Sequence, residues 1–516
     1  MPKLSTSIAP YIPLLLAAFL LGCGPTASTP PVAQSGVASS GAGNGTAKPP
    51  VVRPPAEPVR RPLPSGFEPR EFPENPRTLG DLLDPEDREP ADPGPGTAPT
   101  FEPVGEPREV DPARLLATGI RRLEGRHVTI FTDLAPASEV DELPRVFDAA
   151  VPQWCAYFKL DPAKAADWKI TACLIGEKPA FEQAGLLPAD LPPFLHGYQR
   201  GHEVWLYEQP TAYYRRHLLL HEGTHAFMVN LLGGAGPPWY MEGMAERLAT
   251  HRWEQGMLEM RVNPEQSAGF DHWGRIKIIR DEVAANRGRP LEQILAYGPT
   301  AHRELSPYAW CWGAVMFFET HPRTAGPFAE LQNRVEITGP EFHQEFTAVL
   351  GAHWQEISED WQLFALEAEY GYDVPRAAVA HREAGPAPAG GVTINLAADR
   401  GWQSTGVLLE AGKKYRVQAA GRFRVHADPR PWESEAGGVT LRYYRGHPLG
   451  LLLGAIHDDA NPLGGGITVL SKPVPVGRER SITPTTSGTL YLKVNDSPAE
   501  LAENEGGLTV RITAVE

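Results

Sequence analysis

Apolar and polar positions follow distinct rhythms along this chain. Between Asp111 and about Pro375, short alternating runs mix with longer runs whose apolar residues recur every three or four positions. Arg126-His-Val-Thr-Ile-Phe-Thr132 alternates and is rich in β-branched residues, which predicts a strand. Lys169-Ile-Thr-Ala-Cys-Leu-Ile175 and Glu203-Val-Trp-Leu-Tyr207 predict two more, with a loop over Leu191-Pro-Pro-Phe-Leu-His-Gly197 before the last. Val140–Leu160, Ile276–Ala285, Tyr308–Thr320 and Phe342–Ala365 carry helical spacing. So does His217–Met228, where Leu218, Leu219, Leu220, Phe227 and Met228 are apolar and Gly233-Gly234 and Pro237-Pro238 stop the helix. Gly223 opposes that helix by about 1 kcal/mol relative to Ala. From about Gly390 the rhythm becomes short strands between turns: 391–396, 405–410, 414–419, 439–443, 488–494 and 508–513. That spacing predicts a β-sandwich. The fold class is therefore α+β: a domain over residues 113–375 with a small sheet and an α lobe, a linker over 376–389, and a β-sandwich over 390–516.

The first 112 residues share none of these rhythms. Lys3 and the apolar stretch Tyr11–Leu21 form an export signal over residues 1–22, too short for a good membrane span. Leu20-Leu-Gly-Cys23 resembles a bacterial lipobox, which implies cleavage before Cys23 and a lipid on that cysteine; an ordinary cleaved signal is the alternative. Either places the protein outside the cytoplasm, and the lipid would anchor it to a bacterial membrane, in the periplasm or at the cell surface. Residues 23–112 are rich in Pro, Gly, Ala, Ser and Glu and cannot bury enough surface to offset their ordering entropy, so they predict a disordered tether.

The chain has 516 residues, 42% of them hydrophobic, enough for two or three domains with real cores. A net charge of −15 without a basic stripe argues against nucleic acid as a partner. Of the four cysteines, Cys23, Cys155, Cys173 and Cys311, the second and third could pair, leaving an odd thiol. No C-x-x-C occurs, so cysteine-bound zinc has no support.

The chemistry gathers at His221-Glu222-Gly-Thr-His225. Two histidines four apart share one helical face and can bind one Zn²⁺ through nitrogen, while Glu222, one position round, can reach a water on that metal. A catalytic zinc needs a third protein ligand and an open position. The helix after Pro237-Pro238 offers Glu242 in its first turn and Glu246 one turn later, with His251 a more remote choice.

His221-Glu-Gly-Thr-His225 followed by Trp239-Tyr-Met-Glu242-Gly-Met-Ala-Glu246 resembles the gluzincin metallopeptidases, the MA-type group with H-E-x-x-H and a downstream E-G-x-A-E. The resemblance implies a zincin-like domain in which the strand just before the active helix, here 203–207, is the sheet edge that pairs with substrate. It implies zinc on His221, His225 and Glu242, Glu222 as general base, and Glu246 as the carboxylate orienting a ligand histidine. Many gluzincins aim a Tyr or His at the developing oxyanion. Tyr308, in Ser306-Pro-Tyr-Ala-Trp-Cys-Trp312, is the candidate, a core aromatic being its plainer reading; His302 is a weaker one.

Gly412-Lys-Lys-Tyr-Arg-Val-Gln-Ala-Ala-Gly421 and Tyr491-Leu-Lys-Val-Asn-Asp496 with Glu503-Asn504-Glu-Gly506 resemble the calcium-dependent galactophilic bacterial lectins. That resemblance implies Ca²⁺ on Asp496, the Glu500 carbonyl, Glu503 and Asn504, although Glu503 stands where the family has Asn. No counterpart of the family's sugar-contacting His/Gln loop occurs in Asp428–Gly438, and a sandwich that binds nothing is the plainer reading. The expected function is an exported, lipid-anchored zinc metallopeptidase acting on peptide or protein substrates. An endopeptidase is preferred because the G-x-M-x-N exopeptidase signature is missing. The alternative is a catalytically silent zincin-like lipoprotein that binds carbohydrate or cell wall, against which the intact Glu222 argues.

Overall fold

The computed structural model describes residues 110–515 apart from 428–429 and 464–465, so the export signal, Cys23 and almost all of the tether lie outside the described residues. The architecture is mixed α and β. After α1 (Pro112–Thr118), strands β1 (Arg121–Glu124), β2 (Val128–Thr132), β3 (Ile170–Ile175), β4 (Gly197–Arg200) and β5 (Glu203–Tyr207) form one sheet, with α2 (Ser138–Asp141), α3 (Leu143–Tyr157) and α4 (Lys178–Ala184) between them. The sheet order is β1-β2-β3-β5-β4; β2, β3 and β5 run parallel, and β1 and β4 are antiparallel to their neighbours. Val128, Ile130, Ala172, Val204 and Leu206 face the main core against α3, while Phe131, Cys173, Ile175 and Trp205 face a second cluster around Phe181 of α4. Burial on both faces is why the central strands read as almost unbroken apolar runs.

One expectation is corrected here, and one pairing left open by the sequence is decided. Strand 203–207 is not the sheet edge: β5 is hydrogen-bonded on both sides, and the edge is β4, which folds back on it through a hairpin at Gly201 (φ 59°). Cys155 and Cys173 do not pair, because the first packs on the α3 side of the sheet and the second on the opposite face.

The α lobe follows: α5 (Ala212–Phe227), α6 (Pro238–Ala249), a hairpin of β6 (His251–Glu254) and β7 (Met257–Met260), then α7 (Arg275–Ala284), α8 (Leu291–Leu295), α9 (Leu305–Thr320), α10 (Ala325–Glu330), α11 (Glu341–Leu350), α12 (Trp354–Glu367) and α13 (Val374–Ala377). The single helix expected over 342–365 is two, parted by a tight turn at Gly351–His353. Glycine there weakens the helix, and both halves keep their apolar stripes in the core.

Residues 376–389, expected to be a linker, are built into the fold. Ala380 bridges Gln403, and β8 (Gly385–Pro386) pairs in parallel with β10 (Gln403–Leu409). The remaining strands are β9 (Val392–Ala397), β11 (Lys414–Ala420), β12 (Phe423–His426), β13 (Trp432–Ser434), β14 (Gly437–Tyr444), β15 (His447–His457), β16 (Val474–Pro475), β17 (Glu479–Ile482), β18 (Gly488–Val494) and β19 (Glu505–Val515). They form two sheets, β14-β15-β18-β10-β8 with β16 added, and β13-β12-β19-β11-β17 with β9 added. Val407, Leu409, Tyr415, Val417, Leu490, Leu492, Val510 and Ile512 fill the space between them.

The sandwich is docked on α12. Leu363 of that helix packs with Val379, Trp402, Leu451, Leu453 and Tyr491. Beside them, His457 of β15 sits between two carboxylates, its Nε2 3.0 Å from both Glu359 oxygens and its Nδ1 2.7 Å from Asp459 Oδ1. Thr468 donates to Glu359, and Tyr491 donates to Asp459 at 3.0 Å. Neutral imidazole has one N–H, so facing two carboxylates requires the imidazolium. Burial opposes that charge, but the hydrogen bonds and Coulombic attraction of Glu359, then Asp459, outweigh it and raise the His457 pKa.

Because the folded pKa is raised, this stabilisation is full below the unfolded value of about 6.5 and is lost as pH rises through the higher folded value. His457→Leu should cost about 3 kcal/mol by stranding buried Glu359, and should flatten that part of the pH dependence. Urea unfolding between pH 6 and pH 9 checks both; a variant that keeps the wild-type slope would remove His457 as its source.

Candidate metal centre

Thr211 caps α5, its side chain accepting from the Tyr214 N–H at 3.2 Å, and the helix carries His217, His221, Glu222 and His225 into the core. It ends in a wider turn over Met228–Leu232 and at Gly233 (φ 82°), after which Pro238 starts α6. Gly223, a cost to the isolated helix, allows close packing: a Cβ there would lie 2.5 Å from the Phe147 ring of α3. Gly243 does the same for α6 against α9, where a Cβ would lie 2.7 Å from the Cys311 carbonyl oxygen.

α5 and α6 also pack against each other, and three donor atoms converge between them. His221 Nε2 is 3.1 Å from His225 Nε2 and 3.2 Å from Glu242 Oε2, and His225 Nε2 is 3.4 Å from the same oxygen. Ligands about 2.0 Å from a tetrahedral zinc stand about 3.3 Å apart, so the spacing fits one small cation among these three atoms. Glu242 Oε2 is buried with no hydrogen-bond partner, which also fits. Burial opposes ionisation of Glu242, but the charge of the nearby His225 and His302 holds its pKa well below the usual range.

Glu246, one turn on, is differently placed. Its Oε1 is 3.3 Å from His221 Nδ1, so it accepts that N–H and leaves Nε2 as the lone pair. Arg275 of α7 grips both its oxygens, Nε to Oε2 at 2.7 Å and Nη2 to Oε1 at 2.8 Å, and Nη2 also reaches Tyr214 Oη at 3.3 Å. Burial opposes the Glu246 charge, and Arg275, then His217, outweigh it and depress its pKa. His251 is outside the site: its ring stacks on Tyr213 at 4.7 Å and its Nδ1 is 2.8 Å from the Ala249 carbonyl oxygen.

Glu222 is buried, and desolvation raises its pKa. Its carboxylate lies against the edge strand so closely that a Cβ on Gly197 would be 2.4 Å from Oε1. Tyr308, in the first turn of α9, has its ring 6.0 Å from that of His221 and 5.1 Å from that of His302. Both oxyanion candidates therefore stand beside the converging donors. Burial raises the Tyr308 pKa well above the phenol range and keeps its proton on. Sequence reasoning missed Arg275, Tyr214 and Gly197. His217 alone had a local signal, lying four residues before His221 on the same helical face.

In the sandwich, the loop carrying Asp496, Glu500, Glu503 and Asn504 comes together only in part. Asn504 Nδ2 donates to Asp496 Oδ2 at 2.9 Å, and Asp496 Oδ1 accepts from the Ser497 N–H at 2.7 Å. The Glu500 carbonyl accepts from the Glu503 N–H at 2.9 Å, its carboxylate pairs with Arg442, and the Glu503 carboxylate turns to His426 Nδ1 at 2.6 Å. Arg442 thus supplies positive charge to the acidic loop. In this arrangement the Glu503 carboxylate is taken by His426 and one Asp496 oxygen by the Asn504 amide, and calcium enters no step below.

No family model matches this chain and no curated protein matches it. Among solved structures, it is similar to one described as the EclA N-terminal domain, a PllA-like lectin, at 20% identity over 24% of this chain and 98% of that one, with a TM-score of 0.19. It is also similar to the IMPa metallopeptidase from Pseudomonas aeruginosa, at 11% identity over 75% of this chain and 37% of that one, TM-score 0.15. A structure of IMPa in complex with an O-glycopeptide matches at 10% identity over 78% of this chain and 43% of that one, TM-score 0.14. The chain spans less than half the length of these two metallopeptidase chains.

Two outcomes are expected. Gly197→Ala should leave metal content unchanged but lower any hydrolysis about tenfold or more, since the new methyl displaces the Glu222 carboxylate; equal rates in the two proteins would separate Glu222 from the edge strand. Millimolar Ca²⁺ should leave thermal unfolding of the chain unchanged; a rise of several degrees that Asp496→Ala abolishes would restore the loop as a calcium site.

Proposed function

We propose that the chain is an exported zinc metallopeptidase with a zincin-like domain of gluzincin type, cutting internal peptide bonds and tethered to a membrane through Cys23. The observation that carries this reading is the convergence of His221, His225 and Glu242 at zinc-ligand spacing with Glu222 beside them. Zn²⁺ held by those three residues would acidify a water and polarise the scissile carbonyl.

The protein's own groups do the rest. Glu222 accepts the proton of the attacking water and hands it to the leaving amine, the general acid–base role open to a carboxylate within reach of both. Tyr308, kept protonated by burial, donates a hydrogen bond to the developing oxyanion, with His302 at its side. Glu246 holds His221 in the tautomer whose Nε2 is free to bind metal. The outer edge of β4 is not paired in the sheet, and an extended peptide laid antiparallel along it would bring its backbone past Glu222. Substrate selection then rests mainly on main-chain hydrogen bonds, which suits an endopeptidase. The docked sandwich buttresses the lobe.

Glu222→Gln should keep one zinc and lose hydrolysis by about 10³-fold or more, because it removes the base and no ligand. Cleavage profiling with a peptide library that includes O-glycosylated members, with and without chelator, tests the reading as a whole. No chelator-sensitive cleavage of any member by a zinc-loaded protein would sink it. Cys23→Ser should move the protein from the membrane to the soluble fraction or block its processing; unchanged membrane association would mean a different anchor.

A further inference from the structure

A second set of metal donors lies directly behind the first. His217, His221 and Glu246 also bring one ligand atom each within 4.8 Å of one another, all buried. His217 Nδ1 is 3.0 Å from the Ala249 carbonyl oxygen, to which it donates, so the lone pair sits on Nε2. That nitrogen is buried without a hydrogen-bond donor and points at Glu246 Oε2 from 3.4 Å. Two lone pairs aimed at each other in a dry interior ask for a cation between or beside them.

The cation is already there. Arg275 is 5% exposed, and its guanidinium binds both oxygens of Glu246, which is 2% exposed. Guanidinium is always charged and its planar fork matches a carboxylate, so it neutralises Glu246 without needing His217 as a ligand. We propose that Arg275 is a built-in counter-cation that closes the His217/His221/Glu246 cluster to metal ions and confines zinc to His221, His225 and Glu242. The proposal rests on reading the latter set as the zinc site.

The closure also serves His221. An imidazole that binds metal through Nε2 must keep its Nδ1 proton or become an imidazolate. With Arg275 holding Glu246 ionised and in place, that proton has a fixed acceptor 3.3 Å away. Remove the arginine, and Glu246 becomes an uncompensated buried carboxylate beside the open Nε2 of His217; a divalent ion can bind those two groups, and where His221 joins them as a bridging imidazolate its Nδ1 proton is released to solvent. Arg275 is thus a positioning residue, and it decides which of two glutamates one turn apart serves the metal.

The test counts zinc in the folded soluble chain after dialysis, independently of activity. Wild type and His217→Ala should each hold one zinc, because His217 is no ligand while Arg275 is in place. Arg275→Ala, and the milder Arg275→Gln, should take up a second, weaker zinc that is lost again when His217→Ala is added. Arg275→Lys should stay at one, since it keeps the charge. A folded Arg275→Ala or Arg275→Gln protein that stays at one zinc overturns the proposal. So does loss of the single zinc in His217→Ala, which needs no arginine variant to fold. One zinc in wild type without peptide hydrolysis would sink the peptidase reading and leave this count to stand. A wild-type protein that takes up no zinc overturns both.

Discussion

A carboxylate sealed from water costs several kcal/mol unless a partner answers its charge, and Glu246 is the carboxylate on which this site is built. Its partner comes from α7, its other neighbours from α5, and it sits on α6, so one buried ion pair ties together the three helices that shape the centre. The pair is bidentate, which fixes direction as well as distance. His221 takes its tautomer from Glu246, and the Arg275 guanidinium lies 6.0 Å from the centre of the Tyr308 ring. The orientation of the His221 ring and the place of the Tyr308 ring therefore depend on the same guanidinium.

The same accounting of charge runs through the rest of the molecule. Glu359 is answered by the His457 imidazolium, Asp360 by His321 at 3.0 Å and by the Val379 N–H at 2.8 Å. Asp496 is met by Asn504 and Ser497, with Arg442 on the loop around it. Among the described residues, Glu222 and Glu242 are the buried carboxylates with no Lys or Arg partner and no hydroxyl, backbone or amide donor. They face imidazoles, the edge strand and one another, and Glu242 with His221 and His225 forms a group that could hold a metal ion.

The sandwich matters to this centre mechanically. It grips α12 through Leu363, Glu359 and Gln362, whose Oε1 accepts from the Thr468 N–H at 2.7 Å. In turn α12 packs against α7 and α9 through Trp361 and Phe364. The helices that deliver Arg275 and Tyr308 are thus backed by a layer that the docked sandwich covers. That is why residues 376–389 are ordered strand and bridge, not slack chain.

Local periodicity carried much of this into view before any fold was known. His221 and His225 fall on one face because a helix turns every 3.6 residues, and Glu242 and Glu246 sit a turn apart for the same reason. The short apolar and alternating runs showed all three central strands and the run of short strands that forms the sandwich, since those signals are carried by neighbours in sequence. What tertiary structure alone decided involves partners far apart in the chain. Arg275 meets Glu246 from 29 residues away, and His457 meets Glu359 from 98. Which strand becomes the sheet edge depends on a four-residue hairpin partner with no apolar rhythm of its own. The Glu503 carboxylate is engaged by His426, 77 residues away on another strand. Gly223 reads as a weakness until the helix it admits is seen beside it. Spacing along one helix can be counted from a sequence; which buried charge answers which is settled only when distant segments share one dry interior.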